Sequence, residues 1–156
     1  MISFVNAKIN LGLQIVRKRE DGYHDLQTVF YPVGKYAGTA QNHVKFCDIL
    51  EVTGRLRRGN PSLPSFKFRG RTIDCPLEKN LIYKAADLFC REMRLDLTEA
   101  VISLEKNLPD GAGMGGGSAD AGFVLRALAN LAGSEPGCPE IDERTLAAMA
   151  LRLGAD

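Results

Sequence analysis

The sequence has no excess of charge of either sign, no long apolar run and no cluster of cysteines. Its 156 residues carry 20 Lys+Arg against 19 Asp+Glu, so no overall basic field is present to hold nucleic acid or an anionic membrane. No apolar run approaches the roughly 18 residues of a membrane span, and the N-terminus lacks the basic and apolar regions of a signal peptide. We therefore expect a soluble cytoplasmic protein that binds a small molecule, with no nucleic-acid or membrane partner.

The cysteines are also too dispersed to build a disulfide framework or a metal site. They are spread singly, without a CxxC pair and without a histidine at ligand spacing. We expect reduced and mostly buried thiols. The four positions are Cys47, Cys75, Cys90 and Cys138.

The first half of the chain has the two-residue period of β-strands. Apolar residues alternate with polar ones over residues 9–15, Asp21-Gly22 supplies a turn, and residues 26–33 are rich in strand formers, which predicts a half-buried antiparallel pair. Residues 44–52 and a short stretch around Phe66 and Phe68 predict two further strands, joined by an exposed connection over residues 53–65.

The second half changes to helical spacing. A helix is predicted over residues 81–94 with Asn80 as its N-cap, followed by a brief strand over residues 101–104. Two more helices follow, one with Ser118 as its N-cap and one that begins at Asp142 and stops at Gly154. Strands first and helices later predict an α+β fold in a single domain.

Glycine is concentrated between a predicted strand and a predicted helix. Of the 16 glycines, six fall between Gly111 and Gly122. Residues without Cβ let a ligand approach the backbone closely, and a helix N-terminus offers unpaired N–H groups and a positive dipole end. Phosphate is the natural occupant of such a site, and a flexible linker or a plain helix cap is the alternative.

Two familiar phosphate motifs fit this segment poorly. A P-loop requires Lys after its second fixed glycine, but position 117 is Gly. Gly111, Gly113 and Gly116 match GxGxxG, yet that fingerprint needs a βαβ unit and an acidic residue at the end of the next strand. Glu135 has the required spacing but lies in a Gly-Ser-Glu-Pro-Gly stretch, so a dinucleotide fold is a weak match.

The segment resembles instead the second motif of the GHMP kinases, a Pro followed by a Gly-Leu-Gly-Gly-Gly-Ser-Ser loop that enters a helix. The corresponding residues here are Pro109 and the run GMGGGSA at residues 113–119. Two further stretches are similar to one branch of that superfamily: AKINL at residues 7–11 and DGYHDLQTVF at residues 21–30. The glycine motif indicates only the superfamily, whereas the other two stretches narrow the resemblance to the branch.

The resemblance implies both a fold and a reaction. The fold is the GHMP kinase N-terminal domain, ribosomal protein S5 domain 2-like, with a mixed and mostly antiparallel sheet packed against helices. The branch transfers the γ-phosphoryl group of ATP, with Mg²⁺, to the 2-hydroxyl of 4-diphosphocytidyl-2-C-methyl-D-erythritol in the non-mevalonate route to isoprenoids. We therefore expect ATP as co-substrate and this cytidylyl compound as the small-molecule partner.

The resemblance also assigns site residues. Lys8 and Asp156 form the catalytic pair, in which the carboxylate takes a proton from the attacking hydroxyl and the ammonium stabilises charge. Ser118 is the candidate contact for Mg²⁺ bound with ATP. The substrate side comprises Asn10, Tyr23, His24 and Phe30. The ATP side comprises Asn80, Lys106, Pro109, Asp110, Gly111, Ala112, Gly113, Met114, Gly115, Gly116, Gly117, Ser118, Ala119 and Asp120.

Two residues depart from the family's motif. Met114 replaces the commoner Leu, an apolar swap of similar volume, so we expect little effect. Ala119 replaces a Ser, which removes one hydroxyl near the phosphates and leaves Ser118 to supply it.

The same resemblance implies that residues 1–156 are the N-terminal ATP-binding domain of a longer enzyme. The family's C-terminal substrate domain follows the Leu-Gly-Ala-Asp motif, at which this chain stops. We therefore expect an inactive or weakly active fragment. The alternatives are another GHMP kinase of small alcohols and a nucleotide-binding module without catalysis. The stretch that begins at Asp21 argues against the first, and the pair Lys8 and Asp156 argues against the second.

Overall fold

The computed structural model describes residues 1–33 and 46–154, which fold as the predicted α+β arrangement. Seven strands and three α-helices lie within these two ranges. The strands are β1 (Ile2–Lys18), β2 (His24–Val33), β3 (Cys47–Thr53), β4 (Arg57–Arg58), β5 (Ser65–Gly70), β6 (Leu95–Asp96) and β7 (Val101–Lys106). The helices are α1 (Leu81–Met93), α2 (Gly116–Ser134) and α3 (Glu143–Leu153), with a 3₁₀ turn at Leu77–Lys79 before α1.

Five strands form one mixed sheet in the order β2-β1-β3-β7-β5, within the described ranges. Its pairs are antiparallel except β5 with β7, which run parallel. The two short strands β4 and β6 pair with each other beside this sheet. The mostly antiparallel sheet confirms the predicted fold class.

One face of the sheet is covered by α1 and α2, and α3 packs against both helices. The covered face is read directly from the alternation along each strand. In β3 the inward row is Asp48, Leu50 and Val52, and in β7 it is Ile102, Leu104 and Lys106. The hydrophobic core thus continues along both strands until it meets two charged side chains at the same end of the sheet.

The helix boundaries depend on local chemistry that the sequence shows. The Asn80 side chain accepts a hydrogen bond from the N–H of Ile82 (2.9 Å), and the Asp142 side chain accepts one from the N–H of Thr145 (2.8 Å). These two predicted N-caps are confirmed. The predicted strand over residues 44–52 is observed as β3, and residues 44 and 45 lie outside the described residues.

The first antiparallel pair is confirmed as a pair, but the expected half-burial of residues 9–15 is wrong. Leu11 is 51% exposed and Ile15 is 62% exposed. The reason is that helices cover only the first part of β1, where Ser3, Val5 and Ala7 are buried. Beyond residue 8, β2 is the only described strand that pairs with β1, and the two form a two-stranded arm with a register shift next to Gly12.

The cysteine prediction holds in part. Cys47 and Cys90 are buried, and burial raises the pKa of the Cys90 thiol to about 11. Cys138 is half-buried, but Cys75 is exposed because it lies in the segment between β5 and α1. None of the four, all of which fall in the described ranges, forms a disulfide.

Candidate nucleotide site

The glycine segment leaves the end of β7 and enters α2 directly. Gly111, Gly113 and Gly115 have φ values of 71°, 69° and 69°, in the left-handed region that favours residues without Cβ. Gly115 is the N-cap of α2, and no side chain of the described residues caps the helix. The prediction that Ser118 is the N-cap is therefore wrong. Gly115 adopts the turn that starts the helix, which places Ser118 inside its first turn.

The start of α2 is consequently open to an anion. In the part of the chain that the structure describes, no side chain caps its first N–H groups, and its first turn contains no acidic residue. The N-terminal end of a helix carries unpaired N–H donors and roughly half a positive elementary charge. A polyanion approaching Gly116, Gly117 and Ser118 therefore meets donors and a favourable dipole together.

Lys8 lies against this loop from the neighbouring strand β1. Its backbone N–H donates to the carbonyl oxygen of Met114 (2.9 Å). A Cβ on Gly115 would lie 3.1 Å from Cγ of Lys8, so the glycine is what allows the lysine stem to pass. The Lys8 ammonium then donates to Oδ1 of Asn10 (2.9 Å) and sits 4.8 Å from the centre of the Phe30 ring.

The structure thus brings three of the predicted side chains together beside the loop and leaves two far from it. Lys8, Asn10 and Phe30 share one face of the β1–β2 pair. Tyr23 and His24 are exposed at the other end of the arm, next to the turn. The strand from His24 to Phe30 spans about 20 Å at the usual rise per residue.

A buried ionic cluster lies on the inner side of the loop. The Lys106 ammonium donates to Oδ2 of Asp48 (2.7 Å) and to Oδ2 of Asp120 (2.8 Å). Oδ1 of Asp48 accepts from the backbone N–H groups of Asn107 (2.6 Å) and Leu108 (2.8 Å). Asp110 is the outermost member, with Oδ1 3.6 Å from the ammonium. We call Asp48, Lys106 and Asp120 the buried triad.

Burial sets the protonation of this triad. It raises the pKa of the Asp120 carboxyl to about 7; Lys106 opposes that rise, and the Asp48 carboxylate adds to it. Burial also works against the charge of Lys106, but hydrogen bonds and attraction from Asp120 and Asp48 outweigh it and raise the pKa of the ammonium. Oδ1 of Asp120 is buried and makes no hydrogen bond to any part of the chain that the structure describes.

The resemblance places Lys106 on the ATP side, and in the structure its side chain lies beneath the loop. It is only 2% exposed and is held between two carboxylates. The alternation of Ile102, Leu104 and Lys106 carries the signal for this, because the third member of an inward row must also point inward. Asp48, which sequence reasoning missed, ends the matching inward row of β3.

A cavity of about 620 Å³ opens beside the loop. It collects residues from the end of β7, the loop, the start of α2 and the segment that leads from β5 into α1. Six residues predicted for the ATP side line it: Asn80, Lys106, Pro109, Asp110, Gly117 and Asp120. The sequence did not indicate Arg71, whose Nε donates to the carbonyl oxygen of Asn107 (2.8 Å) at the cavity wall.

The remaining predicted residues fall into two groups. Gly111, Ala112 and Gly113 are exposed on the loop, whereas Ser118 and Ala119 are half-buried in the first turn of α2. Asp156, predicted as the base, lies outside the described residues. Across residues 1–33 and 46–154, no group of three or more His, Cys, Asp or Glu side chains is arranged to hold a metal ion. No helix of the same ranges is long and apolar enough to cross a membrane.

Comparison with known families places this geometry in a class. Residues 80–156, which include α1, the glycine loop and α2, match the family model described as GHMP kinases N terminal domain. The chain therefore carries the N-terminal domain of the GHMP kinases, and the predicted resemblance is confirmed.

Within that class, the chain is homologous to 4-diphosphocytidyl-2-C-methyl-D-erythritol kinases. The enzyme of Azobacteroides pseudotrichonymphae is 42% identical over 156 residues, which are 100% of this chain and 49% of the relative. That of Porphyromonas gingivalis is 40% identical with the same two coverages. That of Desulfotalea psychrophila is 41% identical, over 96% of this chain and 44% of the relative.

A solved structure extends the likeness to three dimensions. The crystal structure of a 4-(cytidine 5'-diphospho)-2C-methyl-D-erythritol kinase matches with a TM-score of 0.66 and 37% sequence identity. The match covers 100% of this chain and 47% of the chain in that crystal structure. The chain thus spans about half the length of the relatives it matches.

Proposed function

We propose that this chain is the ATP-binding part of a cytoplasmic kinase that phosphorylates the 2-hydroxyl of 4-diphosphocytidyl-2-C-methyl-D-erythritol. The named relatives support the substrate, and the open start of α2 supports the nucleotide. In this proposal a second domain completes the substrate cleft, so residues 1–156 alone are inactive or weakly active. The length of the relatives, about twice that of this chain, supports the division.

The observation that carries the proposal is the contact between Lys8 and the glycine loop. The backbone bond from Lys8 to Met114 fixes a strand lysine directly beside the loop expected to hold the phosphates. A lysine beside the phosphates attracts them when a nucleotide binds. In phosphoryl transfer it also stabilises the negative charge that spreads over the transferred group in the transition state.

The proposal assigns a role to each residue of the site. The first N–H groups of α2 bind the β- and γ-phosphates and orient them without a side-chain cap. Lys8 stabilises the charge that develops on the transferred phosphoryl group. Asp156 accepts the proton of the 2-hydroxyl, whose oxygen bonds to the γ-phosphorus as the bond to the ADP oxygen breaks. Asn10, Tyr23, His24 and Phe30 bind and orient the cytidylyl substrate.

The residues present fit a magnesium ion that arrives with the nucleotide. Mg²⁺ prefers phosphate oxygens and water with one or two protein oxygens, and at the start of α2 the hydroxyl of Ser118 is the available group. The buried carboxylates Asp48 and Asp120 are already bonded to Lys106. When bound, the ion neutralises charge on the phosphates, while the N–H groups of α2 still set their position.

The experiment compares the intact protein with two variants, using ATP and the cytidylyl substrate. Lys8→Ala and Asp156→Ala are expected to lose at least 100-fold in kcat while ATP still binds, because each removes a group that acts in the transition state. Lys67→Ala is the matched control, since Lys67 is an exposed lysine at the opposite edge of the sheet and its loss should leave kcat unchanged.

Three other outcomes would count against the proposal. Turnover retained in both variants would overturn the mechanism. Phosphorylation of mevalonate or galactose in preference to the cytidylyl substrate would show that the proposed substrate is wrong. The assignment to the GHMP kinases would still stand. ATP binding without turnover of any alcohol by the intact protein would indicate a nucleotide-binding module.

A further inference from the structure

The buried triad connects the two ends of the glycine loop. Lys106 and the N–H groups of residues 107 and 108 lie just before the loop, and Asp120 lies just after the first turn of α2. A single ammonium therefore bridges the entry and the exit of the loop, and Asp48 ties both to the central strand β3. The loop is also held by a backbone contact, the hydrogen bond from the N–H of Lys8 to the carbonyl oxygen of Met114.

We propose that Asp48, Lys106 and Asp120 act as a loop clamp, with Asp48 as a positioning residue for nucleotide binding. The proposal rests on the proposed function, because it assigns the clamp to the loop that holds the ATP phosphates. Asp48 touches no reacting atom and acts through the backbone of the loop.

Asp48 is suited to this role because both of its oxygens are engaged. Oδ1 accepts hydrogen bonds from two consecutive backbone N–H groups, and Oδ2 accepts one from the Lys106 ammonium. The residue has no exposed surface. The two N–H bonds fix the direction in which the chain leaves β7 toward Pro109. Charge-assisted bonds of this kind are short and directional, so they define the loop's starting geometry.

Gly116 shows that the start of α2 is fitted to the clamp. A Cβ at this position would lie 3.1 Å from Nζ of Lys106 and 3.6 Å from Oδ2 of Asp48. A Cβ here would force the Lys106 ammonium to shift by a few tenths of an ångström, so glycine lets the helix pass this close to the triad without displacing it. The uncapped N–H groups of α2 are thus held at a fixed distance from β3 and β7.

The energetics favour a positioning role over a purely stabilising one. Burying an ammonium and two carboxylates costs several kcal/mol per ion, on the order of what their attraction returns, and apolar side chains of similar volume often give equal or greater stability. The first two residues of the inward row of β7, Ile102 and Leu104, are apolar. A third apolar residue in place of Lys106 would complete a simpler core. The ionic group instead specifies one geometry for a loop of five glycines that would otherwise be free to vary.

The test combines amide hydrogen exchange with titration of ADP, using the 156-residue chain. In Asp48→Asn, one oxygen still accepts from the backbone, but the ion pair with Lys106 is lost. We expect exchange over residues 110–118 to accelerate at least tenfold and the Kd for ADP to rise at least tenfold. Leu97→Ala is the control, because Leu97 is fully buried before the opposite end of β7 and its loss lowers stability without touching the clamp.

A second variant keeps the test informative if Asp48→Asn does not fold. Asp120→Asn loosens only the α2 side, so we expect faster exchange at residues 116–118 while the amides of residues 107 and 108 stay protected. Unchanged loop exchange in both variants would overturn the clamp, as would a loss of ADP affinity equal to that of Leu97→Ala. If the unmutated chain does not bind ADP, the proposed function fails for this loop, and hydrogen exchange still decides whether the clamp exists.

Discussion

Asp120 makes the stability of the folded chain depend on pH in a direction opposite to that of most carboxylates. Its pKa is raised from 3.8 to about 7 because burial disfavours the charged form. A raised pKa means that the folded state binds a proton more tightly than the unfolded state. The stabilising contribution of neutral Asp120 is therefore complete below about pH 4 and is lost as the pH rises through about 7.

The measurement is thermal unfolding of the unmutated chain and of Asp120→Asn between pH 5 and pH 8.5. We expect the melting temperature of the unmutated chain to fall relative to that of the variant across this range, because the amide cannot ionise. Asp142→Asn is the comparison, since hydrogen bonds with Thr145 lower the pKa of that exposed carboxyl from its usual 3.8, the opposite direction to Asp120. Parallel curves for the unmutated chain and Asp120→Asn would contradict the assignment.

The residue scale also shows what sequence can and cannot predict. The alternation in β3 and β7 would have placed Asp48 and Lys106 on the inward face, because a period of two needs only local information. The contact between Lys8 and Gly115 was not predictable in this way. It joins residues more than a hundred positions apart, and only the packed strands and helix bring them together.

Among the elements, the loop-to-helix junction depends on glycine for two separate reasons. Gly111 and Gly115 have nearly the same positive φ, so replacing either with Ala costs about 1–2 kcal/mol of backbone strain. Only at Gly115 does the added Cβ also meet the stem of Lys8, whereas nothing lies within 4 Å of a Cβ at Gly111. Comparing Ala substitutions at the two positions therefore distinguishes the effect of backbone strain from the effect of displacing the Lys8 side chain.

We expect Gly111→Ala and Gly115→Ala to lower the free energy of unfolding by similar amounts and to differ in activity. In the intact protein, Gly115→Ala should reduce kcat at least tenfold because the Lys8 ammonium is displaced, while Gly111→Ala should stay within about threefold of the unmutated enzyme. Chemical denaturation gives the first comparison and steady-state kinetics the second. Equal kcat values for the two variants would show that the position of Lys8 does not depend on Gly115.

The helix starts that are set by a side chain were predicted correctly, and the start of α2, which is set by the backbone, was not. Asn80 and Asp142 cap their helices through their own oxygens, which sequence patterns capture. The start of α2 is different, because Gly115 adopts a left-handed turn and the helix begins before the residue that looked like a cap. A glycine run offers many turns of similar energy, so tertiary contacts choose among them.

For the molecule as a whole, stability is divided unevenly between the covered sheet and the arm of β1 and β2. The strands β3 and β7 pair with each other beneath two helices. Within residues 1–33 and 46–154, residues 11–18 of β1 pair only with β2 and are exposed. A two-stranded ribbon with few buried apolar contacts opens at low free energy.

We expect backbone amides paired between residues 11–18 and β2 to exchange at least a hundredfold faster than those paired between β3 and β7. Native-state hydrogen exchange at increasing denaturant measures both. The amides of α1 serve as an internal reference, because this helix contributes several fully buried residues to the core. Equal protection in the arm and in β3 would show that the arm opens only when the whole domain unfolds.

The class of fold was readable from the order of strands and helices, but the exposure of the arm was not. Apolar alternation predicts that a face is buried somewhere, without saying whether the covering surface lies within the same chain. Residues 9–15 have that pattern, and the helices available to cover them are already occupied by the first part of β1 and by β3. The alternation correctly predicted a strand. The predicted burial was wrong because it assumed that a helix of this domain packs on residues 9–15.

The parallel pairing of β5 with β7 has a consequence for the time course of folding. A parallel pair cannot close through a tight turn, so the chain between the two strands must travel through α1 before β7 can align. Residues from both sides of this crossover line the cavity: residues 71–75 follow β5, and Leu104 belongs to β7. The cavity is thus completed by a slow, long-range closure, and any molecule that binds in it stabilises only chains that have already folded.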